Sequence, residues 1–329
     1  MKILITGAAG FIGSHTAERA LRQGHTVVGL DNFNYYYNPD FKRENVEAIH
    51  STALECGLTD ADFVMIEGDI RDKALLNRIF SEHRPDAVIH LAANAGVRPS
   101  IKNPELYTEV NINGTLNLLE CMRENDVKRL LFASSSSVYG NNKKLPFAET
   151  DFVDRPISPY AATKKAGELL CHTYHHLYGI NVACLRFFTV YGPRQRPDLA
   201  IYKFTGLISQ DKPVPVYGDG STKRDYTFIG DILDGVFRAL DYINSPQSRY
   251  DIFNLGESKV ISLSDMISAI ERALDKKAVL HYMPSFKGDV EYTFADISHS
   301  QTELGYNPTI NFEQGIKAFV EWYTKYRMQ

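Results

Sequence analysis

Cysteine is scarce in this chain: four among 329 residues, Cys56, Cys121, Cys171 and Cys184, with no Cys-x-x-Cys spacing. Their places within apparent helices and strands predict buried reduced thiols, and argue against a disulfide framework or a thiolate zinc site. Long apolar runs are missing too, so no membrane-spanning helix is expected, and because a strand begins at Lys2 no leader peptide is expected either. Neither sign of charge dominates: 36 Lys and Arg face 40 Asp and Glu, for a formal net charge of -4. That balance gives no electrostatic reason to expect nucleic acid or a membrane surface as partner. The sequence shows no internal repeat or low-complexity segment. What remains is the composition of a cytoplasmic globular protein, 44% hydrophobic and 23% charged, long enough for one large or two moderate domains.

The first unit is a β-rich run, Lys2 to Thr6, broken by Gly7, Gly10 and Gly13 and followed by a helical pattern from Ser14 to Gln23. Gly24 suits the helix C-terminus, and a second strand runs from Thr26 to Asp31. A βαβ unit of ~30 residues in this order is what a dinucleotide-binding motif requires. Its glycines allow a tight turn and let a pyrophosphate approach the N–H groups at the helix N-terminus. Asp31 can accept hydrogen bonds from a ribose diol and would repel a 2′-phosphate, which favours NAD over NADP. The aromatic stretch Asn32 to Asp40 reads as a loop leaving the C-terminal end of a strand, where ligands bind in open α/β sheets.

Strands and helices then alternate: strands at Phe63–Ile70, Ala87–Ala92, Arg129–Ser134 and Val182–Phe188, helices at Lys73–His83 and about Pro104–Glu124. The strands are continuous apolar runs, the mark of a parallel sheet covered on both faces. From Thr189 the elements shorten and are separated by Gly and Pro. The expectation is an α/β fold: a doubly wound parallel sheet over 1–188 and a smaller α+β domain over 189–329, with part of 227–256 packing back on the first. The cleft between them is the expected active site.

Within the first domain, ahead of its last strand, lies Ser158-Pro159-Tyr160-Ala161-Ala162-Thr163-Lys164. Ser158 is a good N-cap and Pro159 suits the first helical position. Tyr160 and Lys164, four apart, share a helical face, and an ammonium beside a phenol favours the phenolate, so the pair is a candidate base. His172, His175 and His176 have a spacing that could suggest a metal, but they read as a surface or dimer-helix face, and no metal site is expected.

Together, Gly7-x-x-Gly10-x-x-Gly13, the serines Ser135-Ser136-Ser137 with Val138-Tyr139-Gly140, and Tyr160-x-x-x-Lys164 resemble the extended short-chain dehydrogenase/reductase family, specifically its nucleotide-sugar epimerases and dehydratases. The similarity covers nearly the whole chain. It implies a Rossmann-type sheet, a tightly bound NAD regenerated in each cycle, Tyr160 as base, Lys164 lowering its pKa and holding the nicotinamide ribose, and Ser135 bonding the reacting hydroxyl. NAD would take a hydride from sugar C4, and the 4-keto sugar would turn and receive it on its other face. The cofactor residues it implies are Gly7, Gly10, Phe11, Ile12, Gly13, Asp31, Asn32, Asp69, Ile70, Leu91, Ala92 and Ala93, with Tyr160 and Lys164. Related 4,6-dehydratases carry Asp-Glu after the active hydroxyl, and decarboxylases typically a Glu at the second position. Here Ser136 and Ser137 stand in those places, which favours epimerisation.

Asn32 to Tyr37, Ala95 to Arg98, and Arg186 to Pro193 with Arg196-Pro197-Asp198 are similar to the UDP-glucuronate 4-epimerases. The resemblance implies that Ser136, Ser137, Thr189 and Arg196 hold the uronate carboxylate, and that Val216, Tyr217, Arg224 and Asp289 serve the UDP part. Phe286 stands where relatives often have an arginine. A homodimer through the helices around Pro104–Glu124 and Pro159–Tyr178 is implied as well. Alternatives are a 4-epimerase of a neutral UDP-hexose (UDP-glucose or UDP-N-acetylglucosamine) and, more remotely, a non-catalytic NAD-sensing regulator. The last is disfavoured because Tyr160, Lys164 and Ser135 are all kept.

Overall fold

A computed structural model of the chain describes residues 1–59, 61–284 and 292–328. The first half alternates strand and helix: β1 (Lys2–Thr6), α1 (Phe11–Arg22), β2 (Thr26–Asp31), α2 (Pro39–Glu55), β3 (Phe63–Glu67), α3 (Lys73–His83) and β4 (Ala87–His90). Two short helices follow, α4 (Val97–Lys102) and α5 (Pro104–Thr108), then a π-helical turn at Glu109–Gly114, α6 (Thr115–Glu124) and β5 (Arg129–Ser135). The long helix α7 (Pro159–Tyr178) leads into β6 (Asn181–Phe187). Beyond it come β7 (Thr189–Tyr191), α8 (Ala200–Ser209), β8 (Pro213–Tyr217), β9 (Lys223–Phe228), α9 (Ile229–Ile243) and β10 (Tyr250–Leu255). The chain closes with β11 (Val260–Ser262), α10 (Leu263–Leu274), β12 (Val279–Met283), α11 (Ser298–Leu304) and α12 (Phe312–Arg327).

Seven strands form one sheet in the order β10-β6-β5-β4-β1-β2-β3, with every pairing parallel. The strand alternation divides the core in two. Ile3, Ile5 and Val27 pack with α1, α2 and α9, while Leu4 and Val28 pack with α3, α6 and α7 on the opposite face. Strand order reverses between β1 and β4, and a crevice at such a reversal is where open α/β sheets take their ligands. A third core, built on Tyr191, Val214, Val216, Met266 and Phe319, unites α8, α10 and α12 with a three-stranded sheet, β11-β9-β7, and the pair β12-β8. The segment α9–β10 belongs to the large sheet: β10 pairs in parallel with β6, and α9 packs on β6, β5 and α1.

Three sequence expectations change. The helix α2 begins at Pro39, inside the stretch read as loop, with Asn38 Oδ1 accepting from Asp40 N. The predicted helix over 104–124 is interrupted by the π-turn, whose last residue, Gly114, faces Ile70: a Cβ there would lie 2.6 Å from the Ile70 side chain. Cys56 is exposed at the end of α2, whereas the other three cysteines are buried.

Helix α7 is tied to the sheet by a buried ion pair. Arg186 on β6 forks to Glu168 on α7, Nε to Oε1 at 2.8 Å and Nη2 to Oε2 at 2.9 Å, and Ser134 on β5 donates to the same carboxylate at 2.7 Å. Although burial opposes ionisation, Arg186 and Ser134 keep the Glu168 carboxyl below its ordinary pKa. Removing one partner of such a pair strands a buried charge, so Glu168→Gln should lower the unfolding free energy by ~3–5 kcal/mol. A urea midpoint unchanged from the wild type would show that the pair is not what holds α7 in place.

Candidate active site

A cleft of about 390 Å³ opens at the C-terminal ends of β1, β2, β4, β5 and β6. Its first wall is the turn after β1. Gly7 has φ +73, where only glycine is unstrained, and a Cβ on it would lie 2.8 Å from Ala92 N. A Cβ on Gly13 would sit 2.0 Å from Gly7 O, so α1 can come this close to the turn only with glycine there. Gly10 caps α1 without a side-chain hydrogen bond, and no acidic residue stands in the first turn, which leaves that N-terminus suited to an anion such as a pyrophosphate. Phe11, Ile12, Asn32, Asp69, Ile70, Leu91, Ala92 and Ala93 line the same cleft. The residues present therefore fit a dinucleotide.

Asp31, at the end of β2, lines the cleft but is not a bare carboxylate. Its Oδ1 accepts from Lys42 Nζ at 3.2 Å and from Phe33 N at 2.9 Å. Lys42 also reaches Asn34 Oδ1 at 3.2 Å and lies over the Tyr37 ring. The Lys42 ammonium thus offsets part of the Asp31 charge expected to repel a 2′-phosphate. Asn32 Nδ2 donates to Asp69 Oδ2 at 2.9 Å; burial opposes ionisation of Asp69, but bonds from Arg71 and Asn32 pull its pKa down to about 2.

At the other end stand Tyr160, Lys164 and Ser135. Helix α7 starts as its sequence predicts, with Ser158 Oγ accepting from Ala161 N and Pro159 in the first turn. Lys164 Nζ donates to Ala133 O at 2.7 Å on β5 and lies over the Phe132 ring. The helix approaches this closely because Gly167 has no side chain: a Cβ there would be 2.2 Å from the Phe132 ring. Ser135 Oγ donates to Ser137 Oγ at 3.1 Å and accepts from Ser137 N at 3.2 Å, capping the short turn Ser136–Tyr139. The expected lowering of the Tyr160 pKa by Lys164 is not what the protein alone produces. Burial raises the Tyr160 pKa, and the opposing influences are the Ser135 hydrogen bond and the charge of Arg196. Burial also lowers the Lys164 pKa to about 8.

The loop after β7 assigns its two arginines to different partners. Arg194 ion-pairs with Glu18 and donates to His15 Nδ1 at 2.7 Å, which ties the loop to α1. Arg196 lines the cleft with Thr189, Ser136 and Ser137. It is bonded to Asp198 and stacks on the Tyr36 ring, 5.3 Å from the centroid.

Not every expected residue reaches this cleft. Val216 is buried in the third core, so only its backbone could meet a ligand. Tyr217 is half-buried with Arg98 over its ring, and Arg224 Nη1 donates to Lys223 O at 2.9 Å; neither lines the cleft. Phe286, Lys287, Gly288 and Asp289 lie outside the described residues. Lys42 and Asn94 line the cleft without having been singled out, and Tyr36, from the aromatic stretch Asn32 to Tyr37, lines it without having been given a role. The position of Lys42 in the first turn of α2 could have been found only by recognising that helix. Asn94 is locked by Asn111, which accepts from Asn94 N at 2.8 Å and donates to Asn94 O and Thr163 Oγ1, both at 3.0 Å. Asn111 sits in the π-turn, a distortion often found at functional sites. His172 packs edge-on against Tyr250, and His175 Nδ1 bonds Ile180 O at 2.8 Å.

A glycine cradle at the sheet reversal, with Tyr-x-x-x-Lys beside a serine across the cleft, defines an enzyme of the short-chain dehydrogenase/reductase class. Within that class the chain belongs to the nucleotide-sugar epimerase and dehydratase family: the family model described as GDP-mannose 4,6 dehydratase matches residues 4–319. A UDP-glucuronate 4-epimerase of Thermodesulfobacterium geofontis is 43% identical over 97% of this chain and 95% of its own length. UDP-glucuronate 4-epimerase 4 of Arabidopsis thaliana is 44% identical over 98% of this chain and 75% of its own. The structure of UDP-glucuronic acid 4-epimerase from Bacillus cereus, in complex with UDP-glucuronic acid and NAD, superposes with a TM-score of 0.89 at 36% identity and covers 99% of both chains.

Two histidines, His90 buried and His15 half-buried, give the site region a pH dependence. Thr115 Oγ1 donates to Asn111 O, so it accepts from His90 Nε2 at 3.0 Å, and Nδ1 then accepts from Thr6 Oγ1 at 2.7 Å. This network suits a neutral ring, and burial, with the charge of Lys164, lowers the His90 pKa to about 3. His15 is lowered to about 3 by burial and by Arg194. The unfolded chain takes up protons near pH 6.5 that the native rings refuse, so stability present above pH 6.5 is lost as pH falls toward 3. Each histidine contributes ~1.4 kcal/mol per pH unit in that window. His90→Gln should be less stable at pH 7 yet show a slope between pH 6 and 4.5 shallower by about that amount, in urea titrations against the wild type. Equal slopes would mean that His90 is protonated in the native state.

Proposed function

We propose that this chain is an NAD-dependent 4-epimerase of a UDP-sugar, interconverting UDP-glucuronate and UDP-galacturonate. The observation that carries the reading is the make-up of the catalytic end of the cleft: Tyr160, Lys164, Ser135, Ser136, Ser137, Thr189 and Arg196, with no carboxylate lining that end among the described residues. The relatives named UDP-glucuronate 4-epimerase, and the neighbour solved with UDP-glucuronic acid and NAD, support the same substrate. We further propose that 1–188, with the returning segment around 227–256, holds the cofactor, and that 189–329 holds the nucleotide sugar. A cytoplasmic homodimer completes the reading; the exposed Leu169 and Leu177 on α7 give it an apolar face.

NAD, when bound, would supply oxidation and then reduction at sugar C4 and leave the cycle unchanged. Tyr160 takes the proton of the C4 hydroxyl and later returns it, while Ser135 hydrogen-bonds that oxygen and Lys164 holds a positive charge beneath the pair. Ser136, Ser137, Thr189 and Arg196 hold the carboxylate by charge-assisted and neutral hydrogen bonds. The 4-keto uronate is a β-keto acid prone to losing CO₂. Gripping its carboxylate keeps the C5–carboxyl bond out of the alignment that this loss requires.

Purified protein should convert UDP-glucuronate into its C4 epimer, read by NMR of the sugar, faster than it converts UDP-glucose or UDP-N-acetylglucosamine. Tyr160→Phe should cost at least ~10²–10⁴-fold in turnover while leaving NAD binding intact. Arg196→Met should lower kcat/KM for the uronate by roughly 30-fold and for a neutral UDP-hexose much less. Equal losses on both sugars would move Arg196 away from the carboxylate and bring the neutral-hexose reading forward. Calorimetry should also find NAD bound more tightly than NADP, and equal affinities would place Asp31 elsewhere than at the ribose.

A further inference from the structure

Arg196 meets Asp198 edge-on, Nε to Oδ1 at 2.9 Å and Nη2 to Oδ2 at 3.0 Å. A guanidinium has two such edges, and this contact uses the side edge and leaves the end edge, Nη1 with the second Nη2 hydrogen, for another acceptor. The same group lies over the ring of Tyr36, its Cζ 5.3 Å from the centroid, and the Tyr36 hydroxyl donates to Ala95 O at 2.9 Å. Arg196 lines the cleft and Asp198 does not. Their burial differs in the same sense: the Arg196 side chain is 21% exposed and that of Asp198 37%.

We propose that Asp198 is a positioning residue for substrate selection: it clamps the side edge of Arg196 against Tyr36, so that the end edge is presented, already oriented, to the carboxylate of a uronate-bearing nucleotide sugar. The inference rests on the reading that the substrate is a UDP-uronate. A long arginine left free in a cleft must be ordered at each binding event, and fixing it beforehand removes that cost from binding. Asp198 also carries a negative charge that could oppose a second carboxylate. Its greater exposure lets water screen that charge, while the orientation it imposes acts directly on the end edge. Orientation therefore outweighs countercharge, and the sign of the effect follows: removing Asp198 weakens the uronate.

The test uses full-length protein with UDP-glucuronate and UDP-glucose, reading Kd by calorimetry and KM and kcat by NMR. Asp198→Ala should raise Kd and KM for UDP-glucuronate by about tenfold, with kcat changed less than about threefold and UDP-glucose little affected. Asp198→Glu, which keeps the carboxylate, should recover part of the loss. In an Arg196→Met background Asp198→Ala should add almost nothing, because the two act as one unit. Unchanged or tighter UDP-glucuronate binding by Asp198→Ala would overturn the proposal, as would equal losses on both sugars or additive losses in the double variant. A wild type that turns over UDP-glucose but not UDP-glucuronate would overturn the substrate reading, and this inference with it, before any variant is made.

Discussion

The pair Glu168–Arg186 is the interaction on which the catalytic geometry depends. It joins α7 to β6, and through Ser134 to β5, in a region where both charged side chains are almost wholly buried. Arg186 Nη1 continues to Tyr139 OH at 3.0 Å, and Tyr139 OH donates to Asn254 Oδ1 on β10 at 2.6 Å. Four elements thus share one polar network, and an orientation that broke any link would leave a buried group unsatisfied. Glu168 lies one helical turn beyond Lys164, and Ser134 immediately precedes Ser135. Fixing those two positions to each other fixes the distance between the face of α7 that bears Tyr160 and the serines across the cleft.

A second constraint acts on the opposite wall. The segment from Gly192 to Asp198 has few backbone bonds of its own, Gln195 N to Gly192 O at 3.1 Å being one. Its anchor is Arg194, which adopts a left-handed φ of +64 and reaches back to Glu18 and His15 on α1. His15 Nε2 bonds Pro193 O at 3.0 Å from the same helix. The helix whose N-terminus forms the dinucleotide cradle therefore also holds the loop carrying Arg196. Cofactor and sugar ends of the cleft are referred to one rigid element, which is how two weakly structured loops can hold a fixed relation to each other.

Much of this was legible in the sequence, for a physical reason. Parallel strands buried on both faces are apolar at most positions, so β1, β2, β4, β5 and β6 stand out as near-continuous runs, and Ser158-Pro159 and Gly179 mark both ends of α7 by capping chemistry. Helix α2 was missed because its start looks like a turn: aromatic and polar residues with Asn38-Pro39, where proline at a first helical position and proline in a loop are alike in sequence. Lys42 was missed with it. The π-turn left no signature, since a widened turn changes periodicity by one residue only. The different partners of Arg194 and Arg196, two residues apart in one loop, depend on what α1 and the loop after β2 bring up to them, and such long-range contacts have no local pattern to read. Nor could local reasoning foresee that burial would govern both members of Tyr160-x-x-x-Lys164 more strongly than their mutual spacing.

The set of titratable groups in the cleft limits the chemistry it can support. Eliminating a hydroxyl across C5 and C6 of a 4-keto sugar needs one group to remove a carbon-bound proton and another to protonate the leaving oxygen, at positions distinct from C4. Among the described residues the catalytic end offers the phenol of Tyr160, that of Tyr36, which donates to Ala95 O, Lys164 bonded to Ala133 O, Ser135, Ser136, Ser137, Thr189 and Arg196 bonded to Asp198. Hydroxyls at ordinary pKa and a permanently charged guanidinium orient and stabilise, but they do not exchange protons near neutral pH. On the proposed reading Tyr160 is the group that takes the sugar's proton, and that proton has to be returned to the same oxygen before the next turnover. A site with one such group can take a proton from C4 oxygen and give it back, with the configuration at carbon as the one net change. On the proposed reading, the serines at 136 and 137 are what confine a dehydratase-like scaffold to epimerisation, and a uronate carboxylate adds no acid or base to the set so long as Arg196 holds it ionised.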